Sequence, residues 1–348
     1  MIKINSQNIS KHDPPFIIAE LSANHGGSID MAKVAICKAK ECGANAVKIQ
    51  TYTPDTMTIQ SDKTDFKITE GLWAGHSLYD LYEEAYTPFE WHKELFDFAH
   101  DEGITIFSSP FDETAVDLLE GLEAPAYKIA SFELVDLPLI ERAASCGKPM
   151  LMSTGMASLQ EIGEALNVAL KYGTGEILLF HCISSYPAPL EESNLNNIRA
   201  LRNEFGVEVG LSDHTISNLA STIAIGMGAT AIEKHFKPND DSVGPDASFS
   251  INPGQLRSLI KDCNDAWEAK GQEGFHRAVA EESSRKFRRS VYFMRDLKKG
   301  SVIGLEDVRA IRPGYGLPPK FLKNLIGKTV NCDVERGDPV SFDVVHEK

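Results

Sequence analysis

The chain has no CxxC pair: Cys37, Cys42, Cys146, Cys182, Cys263 and Cys332 are scattered through apolar stretches. This spacing speaks against a zinc framework and for buried, reduced thiols rather than a disulfide scaffold. No apolar run approaches the ~20 residues of a membrane span. The opening Met1-Ile2-Lys3-Ile4-Asn5 has no signal-peptide core. The expectation is a soluble cytoplasmic protein with no membrane partner. Basic excess is missing too: 35 Lys and Arg face 50 Asp and Glu, a formal charge of −15. That balance argues against nucleic acid and anionic membranes. An anionic ligand would therefore need a local basic pocket. No Gly-rich dinucleotide fingerprint follows the first apolar run, and no internal repeat or low-complexity tract stands out.

What is present is a repeating pattern. Of the 348 residues, 42% are apolar, enough core for two domains or for one large barrel with an appendage. Apolar runs at 16–20, 46–49, 105–108, 126–129, 150–153, 177–181, 207–211 and 229–233 read as eight strands. Amphipathic stretches such as 31–41 and 159–172 separate them, and Leu256, Leu259, Ile260, Cys263 and Trp267 share one helical face after the last. Eight strand-helix units over 1–271 predict a (β/α)8 TIM barrel, with a doubly wound sheet as the alternative. Residues 51–87 are too long for an ordinary connection and read as a functional insertion. The polar segment 272–289 reads as a linker, and 290–348, short apolar pieces between turn signals, as a small β-rich domain.

Barrels place their chemistry at the C-terminal ends of the strands. Every predicted strand here ends in polar residues: Glu20 with Asn24 and His25; Lys48 and Gln50; Ser108 and Ser109; Lys128 and Ser131; Ser153; His181, Ser184 and Tyr186; Ser212, Asp213 and His214; Glu233, Lys234 and His235. An unpaired buried polar group costs about 1–3 kcal/mol, so core packing is a poor explanation for such a crown. Lys48 and Lys128 interrupt apolar strands. They form either internal salt bridges with Glu20 or Glu233, or, with Ser109, Ser131, Ser153 and Ser212, a clamp for a phosphate. His214 and His235 close adjacent strands and can meet in space. Two imidazoles with open positions suit an exchangeable Lewis-acid site for Mn²⁺ or Mg²⁺ rather than structural zinc. His181 sits in an apolar setting that favours a core role. Asp246, in Gly244-Pro245-Asp246, is either a turn residue or a carboxylate for sugar hydroxyls, and Arg312 stands in a rigid Pro-Gly context.

Taken together, these segments resemble the sialic acid synthase family, in order and over nearly the whole chain. The matching pieces include Ile17-Ile18-Ala19-Glu20, Ala46-Val47-Lys48-Ile49-Gln50, Ser108-Ser109-Pro110-Phe111-Asp112, Ser153-Thr154-Gly155-Met156, Gly210-Leu211-Ser212-Asp213-His214-Thr215, Ile232-Glu233-Lys234-His235-Phe236 and Arg312-Pro313-Gly314. The C-terminal part resembles that family's antifreeze-like (SAF) module. The resemblance implies condensation of phosphoenolpyruvate with an N-acetylated amino sugar. It implies a divalent metal on His214 and His235, and phosphoenolpyruvate on Lys48, Ser109, Lys128, Ser131, Ser153 and Ser212. Glu20, Glu133 and Asp246 fall at sugar-contacting and proton-transfer positions, with Glu20 the first choice of base for water addition and Glu133 the second. Ser184 and Tyr186 fall beside the substrates. Arg312 would reach into a partner's barrel in a domain-swapped homodimer. Within the family, Gly71-Leu72-Trp73, the Tyr-rich stretch 78–87 and Gly244-Pro245-Asp246-Ala247-Ser248 resemble the branch that forms pseudaminic acid from a 2,4-diacetamido-2,4,6-trideoxy hexose. An apolar lid of Leu72, Trp73 and Tyr82 would suit that sugar's methyl group. The alternatives are a legionaminic acid or N-acetylneuraminate synthase, a metal-dependent aldolase or sugar isomerase, and a non-enzymatic binding module.

Overall fold

The computed structural model describes residues 2–271 and 274–346. It divides into two compact units, Met1–Gly271 and Gln272–Lys348. In the first, a short antiparallel hairpin, β1 (Ile2–Ile4) and β2 (Gln7–Ile9), precedes eight parallel strands. These are β3 (Phe16–Glu20), β4 (Ala46–Thr51), β5 (Thr105–Pro110), β6 (Tyr127–Ile129), β7 (Met150–Ser153), β8 (Ile177–Cys182), β9 (Glu208–Ser212) and β10 (Ala231–His235). They pair in sequence order and close when β10 pairs with β3. The eight-stranded barrel expected from the apolar runs is what the chain forms. The last strand runs further than its apolar stretch, so His235 lies on it.

Each strand is followed by a helix whose ends are written locally. In α1 (Ile29–Cys42), the Ser28 side chain accepts from the Met31 N–H, and Gly43, at φ 95°, ends the helix in the left-handed conformation. Ala32, Ala35, Ile36 and Ala39 face the barrel. The last helix of the unit, α10 (Pro253–Lys270), opens with a capping box between Asn252 and Gln255 and buries Leu256, Leu259 and Cys263.

Inside the barrel, the two-residue strand period sorts side chains into layers. Phe16, Ile18, Ala46, Phe107, Ala126, Leu151, Leu178, Phe180 and Ala231 form an apolar lower core, closed from below by Ile2, Ile4 and Ile9 of the hairpin. A side-chain carbon on Gly210 would meet the Phe180 ring at 2.7 Å, so glycine there makes room for the phenylalanine. The same parity carries Glu20, Lys48, Ser109, Lys128, Ser153, Cys182, Ser212, Glu233 and His235 into the barrel above that core.

The insertion after β4 holds α2 (Pro54–Met57), a 3₁₀ turn at Thr64–Phe66 and α3 (Leu78–Ala85), and α4 (Phe89–Glu102) then resumes the barrel. In the second unit β11 (Ser290–Phe293) pairs with β12 (Val308–Ile311), and β13 (Thr329–Val330) with β14 (Val345–His346). Their core is Val291, Phe293, Ile303, Val308, Leu325, Val330 and Val340. The expected linker is more ordered than its polarity suggested. Its first two residues lie outside the described residues, but Val279–Phe287 is a 3₁₀ helix. Glu281 and Glu282 stand in its first turn and Arg285 and Lys286 in its last, and Arg285 pairs with Glu282 at 3.2 Å.

Candidate active site

The upper layer of the barrel is a buried ionic cluster. Lys48 Nζ lies 2.8 Å from Glu20, 3.6 Å from Glu233 and 3.2 Å from Ser109 Oγ. Lys128 Nζ lies 3.1 Å from Glu233, which also accepts from Ser212 Oγ at 3.3 Å. The arrangement is the internal salt-bridge reading of the lysines. The ammonium groups pair with carboxylates, and they do so among the serines expected to accompany an anion. Burial opposes every charge here, and the pairing offsets it unevenly. Burial pushes the Glu20 carboxyl up against the pull of Lys48. Burial lowers Lys128, with Glu233 opposing. Against burial, Lys128 and Lys48 hold Glu233 below the ordinary carboxylate range.

Beside the cluster, serine side chains close in on a glycine. The Gly155 N–H donates to Ser131 Oγ at 3.2 Å. A side-chain carbon on Gly155 would collide with Ser184 Oγ and come within 2.7 Å of Ser131 Oγ. Ser153 Oγ is buried and has no partner among the described residues. Three serine hydroxyls and two lysines at one end of a barrel suit a phosphate or carboxylate. Gly155→Ala should push Ser184 and Ser131 out of place and raise the KM for an anionic substrate by about 10- to 100-fold, with a smaller change in kcat, since the groups displaced are ones that hold the substrate. Steady-state kinetics would measure it.

The two histidines meet. Their ring centroids are 5.5 Å apart. His214 donates its Nδ1–H to the Ile183 carbonyl at 2.8 Å, so Nε2 is the nitrogen that carries the lone pair whenever the ring is neutral. His235 Nδ1 is buried without a hydrogen-bond partner among the described residues and stands 3.6 Å from Asp246. Burial, then His214 and the neighbouring lysines, keep His235 neutral. Against burial, Cys182 and the Ile183 carbonyl raise His214, so a divalent cation would take the place of its proton and meet the neutral His235 beside Asp246. Among the described residues no cluster of three or more His, Cys, Asp or Glu is placed to hold a metal, so the fit is that of a two-histidine site completed by other ligands. Tyr186 stacks on His214 at 4.3 Å, and Phe249 packs against His235 at 4.9 Å.

Other members of the polar crown turn away. Asp213 and Lys234 pair at 2.9 Å, buried outside the barrel wall, where Ser221 of α9 (Leu219–Gly226) also donates to Asp213 at 2.5 Å. His181 bonds the Ser193 carbonyl at 2.7 Å in the core. Asn24 ties its loop to β10 through Phe236 O and Ser250. Arg312 follows β12 in the second unit.

A cavity of about 450 Å³ opens above the cluster. Its polar side is Ser22, Gln50, Glu133, Ser184, Tyr186, His235 and Asp246. Gln50 donates to Glu20 at 3.0 Å and to Ser22 at 3.1 Å, and Ser22 donates to Asp246 at 2.5 Å. Burial raises Asp246, and it lifts Glu133 to about 7. Its apolar side comes from the insertion, including Trp73 and Tyr82 as expected but not Leu72, which is exposed. The Ala74 N–H closes a turn onto the Gly71 carbonyl there.

Sequence reasoning passed over Gly155, Ser22 and Cys182. The Cys182 thiol lies 3.8 Å from His214 Nδ1. Burial disfavours its thiolate, but His214, Ser131 and Lys128 outweigh that and bring it to about 7. Strand parity with His181 facing out would have placed Cys182 inside. Ser22, at φ 41°, gave no such signal.

The fold and site define a (β/α)8 barrel that presents a basic cradle and a pair of imidazoles at its C-terminal mouth. Residues 35–274 match the NeuB family and residues 288–345 the SAF domain, and the chain belongs to the NeuB family. It is 41% identical over 331 residues to a pseudaminic acid synthase of Campylobacter jejuni, covering 95% of this chain and 96% of that one. It is 35% identical to an N,N'-diacetyllegionaminic acid synthase of Legionella pneumophila, with 94% of each covered. A crystal structure of a spore coat polysaccharide biosynthesis protein from Bacillus subtilis superposes with a TM-score of 0.67 at 30% identity and 99% coverage of each chain.

Proposed function

We propose that this chain is a pseudaminic acid synthase. It condenses phosphoenolpyruvate with 2,4-diacetamido-2,4,6-trideoxy-β-L-altropyranose and water, giving pseudaminic acid and phosphate. One observation carries the reading: an anion cradle, two converging imidazoles and a half-apolar cavity share one barrel mouth. The higher identity to the pseudaminic than to the legionaminic relative supports the sugar.

Lys48, Lys128, Ser109, Ser131, Ser153 and Ser212 hold the phosphate and carboxylate of phosphoenolpyruvate. To admit these anions, the lysines share themselves between substrate and Glu20 or Glu233. His214 and His235 would hold the cation, Mn²⁺ or Mg²⁺. When bound, that cation supplies Lewis acidity at the sugar's aldehyde oxygen. Asp246, Ser22, Gln50 and Ser184 orient the open-chain sugar, and Tyr186 packs over it, so that C3 of phosphoenolpyruvate bonds to the aldehyde carbon. Water then adds at C2, giving its proton to a carboxylate, and the C–O bond to phosphate breaks. Glu133 suits that proton transfer better than Glu20. Its carboxyl sits near 7, whereas Glu20 Oε2 lies 2.8 Å from Lys48 and its Oε1 accepts from Gln50. By the same resemblance, Arg312 completes the partner's barrel in a swapped homodimer, and the activity belongs in the cytoplasm.

The test is phosphate release from phosphoenolpyruvate with Mn²⁺ and, in turn, the altro sugar, its legionaminic-type isomer and N-acetylmannosamine. Release with the altro sugar should exceed the others by at least about 10-fold. Equal release from N-acetylmannosamine would overturn the sugar assignment. Turnover without phosphoenolpyruvate would point instead to an aldolase or isomerase.

A further inference from the structure

The cavity is two-faced, and Trp73 joins the faces. From the insertion come Met57, Ile68, Leu78 and Leu81, all apolar. Opposite stand Ser22, Gln50 and Asp246, linked by hydrogen bonds. Trp73 bridges them. Its indole Nε1–H donates to the Pro245 carbonyl at 3.1 Å, one residue before Asp246. Its ring lies 5.7 Å from Tyr186, which in turn stacks on His214. The wall is thereby tethered to the loop that carries the polar groups.

A ligand hydroxyl turned to that wall would lose its water without gaining a partner, a cost of about 1–3 kcal/mol. A methyl would lose nothing and bury apolar area. We infer that Trp73 is a specificity-determining residue, which holds the insertion wall against the methyl-terminated end of the sugar and thereby selects 6-deoxy over 6-hydroxy substrates. This inference rests on the proposed function and adds the group that reads the sugar's C6. The tethered indole sets the wall's distance from Asp246. Losing it widens the cavity and admits water beside C6.

The experiment compares kcat/KM for 2,4-diacetamido-2,4,6-trideoxy-altrose with that for the same sugar carrying a 6-hydroxyl. It uses the full-length protein, Trp73→Phe and Trp73→Ala. The unsubstituted protein should favour the 6-deoxy sugar by about 10- to 100-fold. In Trp73→Ala the preference should fall to about threefold or less, mainly through a higher KM for the 6-deoxy sugar, while the KM for phosphoenolpyruvate stays within about twofold. Trp73→Phe keeps a ring but loses the donor, so it should fall between. A preference unchanged in Trp73→Ala overturns the inference and leaves the proposed function standing. If the unsubstituted protein releases phosphate with neither sugar, the proposed function fails and the inference with it.

Discussion

Glu133→Gln is expected to lower kcat by about 10²- to 10⁴-fold, the usual worth of a positioned acid-base group. The unsubstituted enzyme should gain kcat/KM as pH rises through about 7, where the buried carboxyl becomes a base. The glutamine variant should lack that rise. A second reading separates chemistry from damage to the fold. Burial holds this carboxyl at about 7 rather than 4.5, so the folded state resists its ionisation. The stability associated with the protonated form is complete below about 4.5 and is lost as pH climbs through 7, amounting to about 3 kcal/mol in alkaline solution. Glutamine never ionises. Thermal unfolding at pH 8.5 should therefore show the inactive variant to be more stable than the parent. A variant that is both inactive and less stable at that pH would remove Glu133 from the proton-transfer role.

His235→Ala should cost at least about 10³-fold in turnover, because removing several kcal/mol of charge stabilisation at about 1.36 kcal/mol per decade amounts to that much. His214→Ala should do the same. Activity alone does not distinguish a ligand from a packing residue, so the companion measurement is Mn²⁺ binding by titration calorimetry. The unsubstituted protein should bind one ion per barrel and each alanine variant none. Chelator should silence the parent, and added Mn²⁺ should restore it. Full activity in chelator would remove the metal role for both imidazoles. Both residues are buried, but neither supports the lower core, so the folded barrel should survive the change.

The barrel could be read from the sequence because its strands are buried on both faces and appear as unbroken apolar runs. The strand ends carried the site for the same reason: a lysine or histidine interrupting such a run has to point somewhere, and inside a barrel the period of two leaves two choices. What the sequence did not reveal is convergence. Lys128 meets Glu233 across 105 positions, and Ser22 meets Asp246 across 224. No local pattern encodes such meetings. The hairpin Ile2–Ile4 with Gln7–Ile9, two three-residue strands outside the strand-helix repeat, went unpredicted. The polar crown was also too generous. Asp213 and Lys234 carry the same charge types as the site residues, but they sit one residue out of phase and serve the outer wall.

That N-terminal hairpin bears on traffic through the enzyme. Ile2, Ile4 and Ile9 stop the lower end of the barrel, so reactants come and go by the upper mouth. In a vessel with one door, the deeper guest must arrive first. On the proposed assignment, the enol phosphate at the lysine floor would enter before the sugar that caps it.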